Sequence, residues 1–170
     1  MKLVDDMANW GHRKHAIAES DIFTITHQNE MYAHLNLIYL KLDKIPAYEQ
    51  GWQPVLDAMR NGKFFVSTGE VLIPDFTING KESGDVLKLQ GSKKVNIEAA
   101  LHWNFPMNFA EIVSGDGEKV YRERINLNQT TAFGKQQFSW PVDLSGRKWV
   151  RIEAWDIAAN GAFTPMIWLE

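Results

Sequence analysis

The chain has no cysteine among its 170 residues, which excludes a disulfide framework and thiolate chemistry and is compatible with a reducing or an oxidising compartment. No stretch approaches the about 18 consecutive apolar residues that a membrane helix requires. The opening residues, Met1, Lys2, Leu3, Val4, Asp5 and Asp6, do not form a signal peptide. An excess of positive charge is also missing. A net charge of -3 supplies no basic field for phosphate backbones or anionic lipid, so neither nucleic acid nor a membrane is an expected partner. The chain reads as soluble, with a cytoplasmic and a periplasmic or secreted location both open. Catalytic and phosphate-binding motifs are absent as well: there is no Gly-x-Ser-x-Gly, Gly-x-x-x-x-Gly-Lys, Gly-x-Gly-x-x-Gly, His-Glu-x-x-His or His-x-His.

What is present is ample material for a core, since 45% of the residues are apolar and 12% aromatic. Leu3, Val4, Met7 and Trp10 recur at helical spacing before Gly11. A short strand is expected over 15–18, a loop over 22–30 and a strand over 35–42. Val55, Leu56 and Met59 mark a second helix. Gly62 lies just past its last periodic residue, where a left-handed C-cap favours glycine. Residues 63–67 then read as a strand.

Beyond Gly69 the helical period disappears, and turn signals arrive at intervals suited to a sandwich: Asn79 with Gly80, Gly91 with Ser92, Gly115 to Gly117, Gly134, Ser145 with Gly146, and Asn160 with Gly161. Strands are expected over 75–78, 86–89, 93–103, 108–114, 118–124, 136–142, 148–156 and 162–168. Val95, Ile97, Ala99, Leu101 and Trp103 share one face, opposite Asn96, Glu98, Ala100 and His102, so one side of this strand should be wet. Val150, Ile152 and Ala154 behave similarly opposite Trp149, Arg151, Glu153 and Trp155. The expectation is a mainly β protein, an immunoglobulin-like antiparallel β-sandwich over 70–170 preceded by a short α/β segment over 1–69. A jelly roll is the structural alternative.

Four of the five histidines, His12, His15, His27 and His34, fall in the first fifth of the chain with Glu19, Asp21 and Glu30. Such side chains are ligands of zinc, iron or manganese, but their spacing matches no closed site and ordinary surface histidines are the simpler reading. The seven tryptophans are read mostly as core or interface packing, because large aromatics dominate buried area. The alternative is a stand-alone carbohydrate- or ligand-binding module, with Trp103, Trp149 and Trp155 exposed to stack on sugar rings.

Ser20 with Asp21, the helix-to-strand passage over 52–69, Asn79 with Gly80, Gly84 with Asp85, Trp103 with Pro106, Glu111 to Val113 and the closing Ala162 to Pro165 together resemble the end of a CehA/McbA-type protein of the PHP (polymerase and histidinol phosphatase) superfamily. In that family a metal-dependent hydrolase barrel precedes a β-sandwich. The resemblance implies a non-catalytic C-terminal region that packs on the barrel and shapes its entrance, with 1–69 as the barrel's end plus a linker helix. A divalent zinc, iron or manganese ion is implied for the parent, with no cofactor in this chain. Asp21 matches a late metal ligand by position, while Phe23 stands where many such proteins carry histidine. Alone, Asp21 would be an orphan ligand, and its simpler reading is a turn or N-cap residue. The implied partner is the N-terminal barrel of the same protein. Leu3, Val4, Met7 and Trp10 would be the uncovered patch and would drive self-association. Leu169 and Glu170 suit an appended tail.

Overall fold

A computed structural model describes residues 2–18, 36–89 and 93–170. In chain order these form α1 (Lys2–Asn9), β1 (Leu37–Leu40), a 3-10 turn (Tyr48–Gln50), α2 (Gln53–Arg60), β2 (Phe64–Ser67), β3 (Val71–Ile78), β4 (Lys81–Glu82), β5 (Val86–Leu87), β6 (Lys94–Trp103), β7 (Met107–Gly115), β8 (Val120–Asn126), β9 (Gly134–Asp143), β10 (Trp149–Asp156), β11 (Gly161–Phe163) and β12 (Ile167–Leu169). No helix among the described residues is long and apolar enough to cross a membrane.

Period-two alternation builds the two sheets. The smaller runs β4-β3-β6-β9. The larger places β10 at its centre, with β7 and then β8 on one side, and β11 and β12 on the other, continued by β2 and β1 and by β5. β3, β6 and β9 thus occupy the places of immunoglobulin strands A, B and E, while β7, β8, β10 and the β11/β12 pair occupy those of C, C′, F and G. After leaving the small sheet, the chain crosses over and pairs β5 in parallel with β12. The protein is a mainly β, immunoglobulin-like sandwich. Its sheets enclose Ile97, Ala99 and Leu101 from β6 against Ile112, Val150, Ile152 and Ala154 from the larger sheet.

Border strands are protected by their own side chains. β8 carries Arg122, Glu123 and Arg124 in succession, and β9 contains Pro141, which cannot donate to a further ladder. Gly62 ends α2 at φ 67°, and a Cβ there would lie 2.6 Å from the His15 ring, so both conformation and space require glycine.

Several expectations are corrected. Residues 15–18 form no strand; His15 instead sets its ring edge-on to Phe64 of β2 at 6.0 Å. The single strand expected over 162–168 is two: the Thr164 amide still donates to the Ile152 carbonyl, but its hydroxyl accepts the Ile152 amide, and Pro165 has no amide to offer. β3 begins at Val71, bulges between Leu72 and Asp75, and reaches past the expected start at 75. Leu169 is a core residue and the Glu170 amide donates to the Leu87 carbonyl, so the last two residues belong to the fold. β2 pairs with β11, setting Ser67 opposite Ala162.

Candidate functional site: the charged seam under the first helix

The outward side of β10 is where a wet face was expected, and it is dry. Trp149, Arg151 and Glu153 of β10 are buried together with Glu111 and Val113 of β7. α1 lies across them. On a helix of 3.6 residues per turn, Asp5, Ala8 and Asn9 share one side, and Leu3, Met7 and Trp10 share the opposite side. The helix docks with the polar side inward: Asp5 is 1% exposed, whereas Leu3 and Trp10 are each 68% exposed. Of the four apolar residues expected as a patch, Leu3 and Trp10 are exposed and Val4 and Met7 half-buried, Val4 packing beside Trp149, Trp168 and Met166.

Sheet register explains why an acidic side chain is drawn inward. Glu153 sits directly opposite Glu111, a like-charged cross-strand pair that is unfavourable by itself. Guanidinium groups close the gap. Arg151 Nη2 lies 2.6 Å from Glu153, and Arg122 Nη1 lies 2.5 Å from Glu111 and 3.5 Å from Glu153. Arg124 reaches Glu111 at 3.5 Å. Without the helix the sheet face would hold three guanidiniums against two carboxylates. Asp5 supplies the third carboxylate. It accepts from Arg151 Nε at 2.9 Å and Nη2 at 3.0 Å, and from Arg122 Nη2 at 2.7 Å. One turn on, Asn9 Oδ1 accepts the Trp149 indole N–H at 2.9 Å. Arg151 Nη1 is the one buried side-chain nitrogen or oxygen without a hydrogen-bond partner among the described residues.

These charges shift Glu153. Burial alone would raise its carboxyl pKa, but the Arg151 charge and hydrogen bond, the Trp155 indole and Arg122 together hold it below the ordinary glutamate value. Every carboxylate of the seam is committed to a guanidinium. The cluster has no free base, nucleophile or ligand set, and it acts as a lock that orients α1.

The proposed tryptophan platform takes a different form. Each of the three residues lies over a glycine directly across the ladder: Trp103 opposite Gly134, Trp149 opposite Gly115, and Trp155 opposite Gly161. A Cβ at any of these glycines would collide with the indole ring. Trp103 is 6% exposed and donates its indole N–H to the Thr131 carbonyl; Trp149 is 0% exposed beneath α1; Trp155 is half-buried and bonded to Glu153. The rings cover bare backbone, as aromatics paired with strand glycines do. They are not an exposed row.

Asp21, with Glu19, His27, Glu30 and His34, lies outside the described residues. His12 is exposed. His15 is half-buried, which pushes its imidazole below the ordinary value against an opposing hydrogen bond with the Arg60 backbone. Among the described residues no three His, Asp or Glu side chains converge to hold a metal ion. Asp5, Asn9, Arg122, Arg151 and Glu153 escaped the sequence reading as a unit. Their one signal was the company of Trp149 and Trp155 on a supposedly wet face, which is too aromatic for open solvent.

No family model, curated protein or solved structure matches the chain.

Proposed function

We propose that this chain is the non-catalytic β-sandwich region of a metal-dependent hydrolase of the PHP type, and that it packs against the catalytic barrel and shapes its entrance. The observation supporting this reading is the inverted docking of α1. A helix that spends its polar side on a buried seam leaves Leu3 and Trp10 facing outward, an arrangement that favours a further apolar partner. Tyr48 and Trp52, also strongly exposed, add apolar area around the second helix. This reading assigns the metal and the chemistry to the barrel. The contribution of this chain is contact surface and orientation.

The test compares this chain with the full parent gene product for metal content and for hydrolysis of aryl esters and phosphoesters, with Leu3→Ser/Trp10→Ser as the variant. Metal and turnover are expected in the longer protein only. The double variant should lower turnover there. In the isolated chain it should abolish self-association while changing stability by only about 0.5 kcal/mol. Metal and turnover in this chain alone would overturn the reading.

A further inference from the structure

On the side of β1 and β2 the larger sheet runs past the smaller one, whose border strand β4 is only two residues long. Between β1, β2 and β3 this mismatch opens a cleft of about 330 Å³, at the lower end of the roughly 300–1,000 Å³ typical of small-molecule sites. We propose that this cleft binds a small, neutral, flat aromatic molecule of one or two rings.

Three observations define that ligand. One wall is a cross-strand pair of rings: Tyr39 lies parallel to Phe65, with centroids 4.8 Å apart and planes 1° apart. Phe65 packs against the core, while the half-buried Tyr39 ring lines the cleft and offers a flat surface for offset stacking. The depth is apolar, with Leu72, Ile73 and Phe76 of β3 opposite that wall. A sugar needs several polar partners around its ring, and the charged side chains lining this cleft are already paired.

Charge at the rim excludes the remaining classes. Lys41 and Lys63 face Asp75 and Glu82, two charges of each sign. All are engaged: Lys41 is 2.5 Å from Glu82 and 3.9 Å from Asp75, and Lys63 is 4.0 Å from Glu82 and 2.7 Å from Asp85. A charged ligand must compete with these partners for its counter-ion. A neutral ring slips beneath the Lys41–Glu82 clasp without disturbing it.

The test is a titration of the ¹⁵N-labelled chain followed by amide chemical shifts, with indole, benzoate and cellobiose as probes. Indole should shift the amides of 39–42, 63–65, 72, 73, 75 and 76 saturably. Benzoate should bind at least about tenfold more weakly, and cellobiose should leave those amides unmoved. Tyr39→Ala should weaken indole about tenfold or more, and Leu72→Trp, which fills the cleft from the other wall, should do the same. Whichever variant keeps the dispersed spectrum of the folded chain decides the point. Absence of saturable shifts at these amides, benzoate binding as tightly as indole, preference for cellobiose, or undiminished binding by a folded variant would overturn the proposal.

Discussion

The two faces of the larger sheet are covered by opposite chemistry. Its inner face meets the smaller sheet through Ile112, Val150, Ile152 and Ala154, side chains that stabilise by leaving water and accept many neighbours. Its outer face meets α1 through Asp5, Arg151, Arg122 and Asn9, where each contact has a direction and one correct partner. The inner face supplies stability; the outer face supplies orientation. Buried ion pairs are poor stabilisers, because the desolvation of both charges consumes most of their attraction. In this molecule these directed contacts hold α1 with Leu3 and Trp10 outward.

The sharpest way to separate the two faces is to damage each in turn. Ile152→Ala on the inner face should cost about 2–5 kcal/mol in denaturant unfolding, with an unchanged slope, because a rigid two-sheet core cannot close the cavity. Asp5→Ala on the outer face should cost less than the about 3–5 kcal/mol of a buried pair that stays closed, because an eight-residue helix can lift away and let water reach Arg151. Hydrogen exchange would reveal the difference as protection lost from α1 and the Trp149 indole alone. Adding Arg151→Met to Asp5→Ala should recover part of the loss, since it removes the stranded charge.

The smallest effect is a pH dependence confined to the seam. The Glu153 carboxyl is held below its ordinary value in the folded state, so its contribution is present above the unfolded glutamate pKa and is lost as pH falls through the folded one. On acidification the Trp149 environment should therefore open before the inner core does, as seen by tryptophan fluorescence. Glu153→Gln should flatten that acid response. An acid transition in which both faces open together would erase the distinction between them.

Much of the sandwich was legible because alternation is local. The faces of β6 and β10 follow from side chains pointing alternately up and down, whatever lies above or below. Even the C-cap at Gly62 is a local preference, and it holds. The break at Thr164 was less visible, since its cause is an amide on Ile152, in another strand. The tryptophan platform was misleading for a similar reason. An indole beside polar neighbours looks available to a sugar until register puts Gly115, Gly134 or Gly161 beneath it, and register depends on pairing between distant strands.

The seam was the least legible part. Arg151 and Glu153 alternate with apolar residues as any solvated face would, and Asp5 sits in a first helical turn, where acidic residues are ordinary. Nothing near either segment announces that they meet. Composition and period-two pattern alone decided that this chain becomes a β-sandwich with a given inner face, because those signals act over a few residues. The fate of the other face belonged to tertiary structure. Asp5 and Arg151 are separated by 146 positions, and only the paired sheet places Glu111 opposite Glu153 and sets Arg151 and Arg122 together as a socket that Asp5 completes.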